Sequence, residues 1–114
     1  MNGVVHLELH TGDAAGASAF YGDLLRWRTQ PVASYLALDL AGGVGGGIVQ
    51  CETRRPVWIP YVEVERVDEV TQRAGELGAA VLLPPREGPA GWRSVVASRD
   101  GAEIAFWQPK RCAS

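Results

Sequence analysis

Val5-His6-Leu7-Glu8-Leu9-His10-Thr11-Gly12-Asp13 alternates strictly and then breaks. In an extended chain Val5, Leu7 and Leu9 point one way and His6, Glu8 and His10 the other. The apolar side wants a helix over it; the polar side wants water or a ligand. Asp13 is a good N-cap for a helix that starts at Ala14. Ala17, Phe20, Tyr21, Leu24 and Leu25 then recur at helical spacing and predict one buried stripe, weakened by Gly16 and Gly22.

The same order of elements comes round again. Val57-Trp58-Ile59-Pro60-Tyr61-Val62-Glu63-Val64-Glu65 reads as a strand, and a helix follows from about Val67 to Leu77, stopped by Gly78. Short β-type runs follow each helix. In the first half these are Trp27 to Thr29, ended by Pro31, then Ser34 to Leu40, a Gly42-Gly43 turn, and Val44 to Cys51. Gly45-Gly46-Gly47 inside the last run marks a bulge, a close backbone approach or a flexible hairpin. In the second half they are Ala80 to Leu83, ended by Pro84-Pro85, a loop over Arg86 to Ala90, then Arg93 to Ser98 and Glu103 to Trp107. Arg99-Asp100-Gly101 turns the last two.

Size and composition bound what such a chain can do. Its 114 residues make one small domain, 46% hydrophobic and 21% charged, with a net charge of −2. Nucleic-acid binding is excluded, because the ten Arg and one Lys are scattered rather than clustered. No apolar run approaches the roughly 20 residues of a membrane helix. The start carries no basic region followed by an apolar one, so the expectation is a cytoplasmic chain without a signal peptide. Cys51 and Cys112 are too few for a disulfide scaffold and read as free thiols. Phosphate-loop, nucleophile-elbow and dinucleotide fingerprints are absent.

The ordered set His6-Leu7-Glu8-Leu9-His10-Thr11-Gly12-Asp13, Phe20-Tyr21-Gly22-Asp23-Leu24-Leu25-Arg26-Trp27, Pro60-Tyr61-Val62-Glu63-Val64, Val67-Asp68-Glu69, Glu76-Leu77-Gly78 and Arg99-Asp100-Gly101-Ala102 resembles the vicinal oxygen chelate superfamily. That group holds glyoxalase I, the bleomycin-resistance proteins and the extradiol dioxygenases. The resemblance implies an α+β fold over residues 1–114. It would comprise two βαβββ modules, about 3–51 and about 57–109, that form a curved half-barrel sheet with helices on the convex side. It also implies a homodimer whose paired concave sheets enclose a pocket.

Metal-dependent members of that superfamily draw one ligand from each of four strands. The first position matches His6. The second, by the repeat, is Ile59; the last is Ala105; the remaining one falls near Ile48 to Gln50, where Gln50 alone could coordinate. Ile and Ala donate nothing to a metal. His6 and Glu8 could share one, but His10 stands roughly 13 Å from His6 along an extended strand. The expectation is therefore a protein with no metal and no cofactor. It would bind a small aromatic or antibiotic-like molecule, with His6, Glu8, His10, Tyr35, Gln50, Tyr61, Glu63, Trp92 and Trp107 as ligand-binding residues. Trp58 falls on the core side. The alternative is a lyase, isomerase or dioxygenase with an irregular metal site at His6 and Glu8, or a metal-free catalyst using Glu8 or Glu63 as base.

Overall fold

The computed structural model describes residues 2–32 and 35–110; Cys112 and the predicted strand start at Ser34 lie outside them. The chain divides into two compact units, Val5–Ile59 and Pro60 onward, the latter joined by the residues up to Val4. The fold is α+β, and the element order is the same in both halves. In the first, β1 (Val4–Thr11) is followed by α1 (Ala14–Leu25), β2 (Arg28–Val32), β3 (Tyr35–Asp39) and β4 (Gly45–Gln50). In the second, β5 (Val57–Glu63) is followed by α2 (Val67–Glu76), β6 (Ala80–Glu87), β7 (Gly91–Ala97) and β8 (Glu103–Pro109). No described helix is long and apolar enough to cross a membrane.

Within the first unit the strand order is β2-β3-β4-β1, with β4 parallel to β1 and the other pairs antiparallel. Within the second it is β6-β7-β8-β5, with β8 parallel to β5. A parallel return needs a crossover, and in each unit the helix and the two intervening strands supply it. Leu9, Leu38 and Ile48 bury one sheet face against Ala14 of α1, and Tyr21, Trp27, Leu40 and Trp58 pack round them. Trp58 is thus core, its indole N–H donating to the Tyr21 hydroxyl at 3.2 Å.

Both helix starts are closed by a glutamine from the last strand of the same unit. Gln50 Oε1 accepts from the Ala14 N–H at 2.7 Å, and Gln108 Oε1 accepts from the Val67 N–H at 2.9 Å. Each satisfies a backbone donor that a helix start leaves without an intrahelical partner. Asp13 adds the predicted cap, accepting from the Gly16 N–H at 2.9 Å. Its counterpart Arg66 makes no side-chain cap. Beyond Val67, the Asp68 carboxyl is held below its usual value by the Glu69 backbone N–H and by Arg66. Asp100, in the β7–β8 turn, is lowered chiefly by the Ser98 hydroxyl.

Three expectations are corrected. Pro31 does not end β2, and Pro84-Pro85 do not end β6; both strands run through their prolines. They are the outermost strands of their units, where an outward-facing amide has no ladder partner, and Pro84-Pro85 fall inside the register shift between Leu83 and Arg86, where the pairing with β7 is interrupted. The predicted buried stripe on α1 is too wide: Phe20, Leu24 and Leu25 are exposed. Ala14, Ala17 and Tyr21 are the α1 residues packed against the sheet, and Phe20, about 100° round the helix from Tyr21, lies outside that contact.

The glycine run is a regular stretch of strand in which side chains from neighbouring strands take the place of missing Cβ atoms. The His6 ring lies over Gly45, Leu40 over Gly46 and the Tyr35 ring over Gly47. A Cβ on Gly46 would stand 2.8 Å from Leu40 Cγ and 2.9 Å from the Leu38 carbonyl oxygen. Gly46→Ala is therefore expected to destabilise the fold by about 1–3 kcal/mol. Gly75→Ala, in open space on α2, should stabilise it by about 0.5–1 kcal/mol. Urea unfolding of the two variants checks the contrast.

Candidate functional site

Cross-strand partners share a sheet face, and each unit has one face turned away from its helix. In the first unit, Leu9, Leu38 and Ile48 lie against α1, so His6, Glu8 and His10 face the other way. The register sets His6 beside Gly45, Glu8 beside Gly47 and His10 beside Val49. Ala37 follows next to Gly47, and Tyr35 lies two residues from Ala37 on the same face.

Glu8 is the centre of this face. It is 8% exposed. One carboxylate oxygen stands 2.8 Å from His10 Nε2 and the other 3.2 Å from His6 Nε2. An ionised carboxylate only accepts hydrogen bonds, so both imidazoles present an Nε2–H to it. The backbone spacing of roughly 13 Å is bridged because both rings lean along the strand toward the residue between them. Both imidazoles remain about a quarter exposed.

Gln50 is not on this face. It shares parity with Ile48, and its side chain is engaged with Ala14 N–H and the Gly12 carbonyl. The duplicated geometry shows which residue stands where Gln50 was expected. Glu8 pairs with Gly47 in β1–β4, as Tyr61 pairs with Ala105 in β5–β8. Gln50 follows Gly47 by the same three residues that separate Gln108 from Ala105. Gly47, not Gln50, is thus the equivalent of Ala105.

In the second unit the α2 side is marked by the Thr71–Ser94 hydroxyl contact at 2.7 Å and by Gln108. The opposite face carries Tyr61, Ala105 and Val95 in one row and Glu63, Trp107 and Arg93 in the next. Tyr61 is buried and Glu63 exposed. The tip of the Trp107 indole lies over Gly91, where a Cβ would come within 2.9 Å of it. Arg93 Nη1 donates to the Tyr61 hydroxyl at 3.3 Å. Sequence reasoning missed Arg93; the strand parity of Gly91–Ala97 was the available signal. Trp92, expected among the ligand-binding residues, belongs to the other face: it pairs with Gln108. Lys110 Nζ sits 5.5 Å from its ring centroid and 2.7 Å from a Glu87 carboxylate oxygen.

A divalent metal does not fit these residues. Ile59, Gly47 and Ala105 carry no donor atom, and Ile59 and Ala105 are 1% and 0% exposed. His6 Nε2, the nitrogen nearer Gly47, is directed at Glu8 rather than offering a lone pair. Among the described residues no three His, Cys, Asp or Glu side chains converge to hold an ion.

No family model matches the chain. The candidate glyoxylase CFP32 of Mycobacterium bovis is 29% identical over 117 residues, covering 92% of this chain and 45% of that protein. CFP32 of Mycobacterium tuberculosis matches to the same extent. The chain thus spans less than half the length of these relatives. Among solved structures, a glyoxalase/bleomycin resistance protein/dioxygenase superfamily member from Vibrio splendidus superposes with a TM-score of 0.66 at 19% identity, covering 95% of this chain and 99% of that one. Methylmalonyl-CoA epimerase from M. tuberculosis gives 0.63 at 17% identity, over 96% and 89%. The Mn(II)-bound glyoxalase of Novosphingobium aromaticivorans gives 0.64 at 16% identity, over 100% of this chain and 44% of that one.

The carboxylate between two imidazoles makes a direct prediction. Above neutral pH, long-range 1H–15N correlation spectra should show both histidines as the Nε2–H tautomer. Glu8→Gln, whose single carbonyl oxygen replaces two carboxylate acceptors, should lower stability by about 1–3 kcal/mol in urea unfolding. An Nδ1–H tautomer at either histidine would contradict the geometry.

Proposed function

We propose that this chain, which carries the fold of the vicinal oxygen chelate superfamily, is a metal-free small-molecule-binding protein of the glyoxalase/bleomycin-resistance type. One observation carries the reading. At three of the four positions where metal-dependent members place a ligand, this chain has Ile59, Gly47 and Ala105, and none offers a lone pair. At the fourth, His6 donates to Glu8. The residues that take the place of metal chemistry are those of a binding surface. Tyr35 and the two imidazoles line the open face of the first unit; Trp107, Tyr61 and Arg93 line that of the second. Flat π surfaces beside hydrogen-bonding groups suit a planar aromatic or antibiotic-like molecule, held by stacking and a few directed bonds.

Two measurements test this. Elemental analysis of the purified, dialysed protein should find far less than one divalent metal per chain. Native mass spectrometry against a library of aromatic compounds, bleomycin among them, should find a ligand whose affinity is indifferent to EDTA. Trp107→Ala should weaken that affinity roughly tenfold, the loss of one stacking partner. Stoichiometric zinc, nickel, manganese or iron that disappears with His6→Ala would overturn the proposal. It would restore a lyase, isomerase or dioxygenase with an irregular site at His6 and Glu8.

A further inference from the structure

The two units match element for element, so a core residue of one has a counterpart in the other. Tyr21, the eighth residue of α1, corresponds to Ala74, the eighth of α2. Arg28 pairs with Asp39 where β2 starts, and Ala80 with Ala97 where β6 starts. Trp27, just before the one strand, therefore corresponds to Ala79, just before the other. Each follows a residue with left-handed backbone, Arg26 at φ +59° and Gly78 at φ +100°. In the first unit the Tyr21 and Trp27 rings stack 5.7 Å apart against the core. In the second, two alanines leave that place unfilled.

A pocket of about 630 Å³ opens there, between Ala74, Leu77 and Ala79 on one side and Val96, Ile104 and Phe106 on the other. Phe106 pairs with Ser94, which touches Thr71 of α2, and Ile104 pairs with Val96, so these strand residues turn to the helix side. Leu77, on the outer wall, is 65% exposed, apolar area that an occupant would cover. Packed interiors hold few voids larger than a water molecule, and an apolar space of this size takes up an apolar solute. The volume falls within the roughly 300–1,000 Å³ of small-molecule sites. The pocket also has a cation. Arg99 borders it, and the guanidinium lies against the turn at Gly78, where a Cβ would stand 2.5 Å from Nε and 3.0 Å from Nη2. The nearby carboxylates are engaged or turned away. Asp100 accepts from the Ser98 hydroxyl, Glu76 pairs with Arg73, and Glu103 has the parity of Ala105, on the opposite face.

We propose that this pocket is a second small-molecule site, made for a planar aromatic carboxylate of about two fused rings. The ring body takes the space that Tyr21 and Trp27 fill in the first unit, with Phe106 as its aromatic neighbour. The carboxylate pairs with the Arg99 guanidinium, whose planar fork matches it. The site lies on the helix side of β7 and β8, away from the face that carries Trp107, and is independent of the ligand-binding reading above.

Naphthoate, titrated into the isotope-labelled full chain, tests the proposal by nuclear magnetic resonance. The amide signals of Ala74, Ala79 and Ile104 should shift. Ala79→Trp puts back the ring present at the corresponding place in the first unit. It should abolish those shifts without lowering the urea midpoint. Arg99→Gln, at an exposed position, tests the site without touching its packing. It should weaken naphthoate roughly tenfold, the loss of one charge-assisted pair, and leave the affinity for the uncharged naphthalenemethanol unchanged. Trp107→Ala should leave the shifts at Ala74, Ala79 and Ile104 in place. Shifts that Trp107→Ala removes would seat the probe on the open face and overturn the proposal, while the ligand-binding reading stood. So would naphthoate binding retained in Ala79→Trp, a destabilised Ala79→Trp, an affinity indifferent to Arg99→Gln, or no shift at all.

Discussion

The parallel pairing of the first and last strands of each unit is the constraint on which the rest depends. In β1–β4 it sets Glu8 opposite Gly47; in β5–β8 it sets Tyr61 opposite Ala105. Three residues further along the last strand it delivers a glutamine to the start of that unit's helix. Register, helix capping and the contents of the open face are consequences of one alignment. A slip of one residue would exchange the two faces of the strand. It would carry Gln50 away from Ala14 and put Ile48 where Gly47 now lies under Tyr35.

That alignment also explains why the metal question has different answers at different positions. His6 survives as a polar residue on the open face, yet its neighbours across the sheet are glycines whose space is taken by rings. Tyr35 fills the volume over Gly47 that a carboxylate side chain would need. Glu8, the acidic group nearest His6, is committed to both imidazoles. A carboxylate with two imidazole donors is a satisfied buried group, and it organises the face without requiring an ion.

What could be read from the sequence was local. The alternation of β1, the Asp13 cap, the Gly78 stop and the Arg99-Asp100-Gly101 turn are each written in a few adjacent residues. Gly78 and Gly101 take φ values of +100° and +95°, as turns ending in glycine require. What could not be read was settled by partners far away in the chain. Gln50 caps a helix 36 residues before it, and nothing in its own neighbourhood says so. Trp92 falls on the α2 side and Arg93 on the open face because the β7–β8 register decides which residue faces α2. Proline ended β2 and β6 on paper because being outermost is a property of the assembled sheet. The α1 stripe was over-read because apolar character does not say whether a residue is covered by its own chain.

The prolines of β2 and β6 have one more effect. A bare outer strand offers a row of amide donors and carbonyls on which a stranger's backbone can grow. Pro31 in one outer strand and Pro84-Pro85 in the other interrupt that row, and the two register shifts in β6 bend it further. Growth of stacked sheets from either border is thereby frustrated. The molecule resists the ribbon-like polymerisation to which open β architectures are prone, even where it is concentrated or newly made.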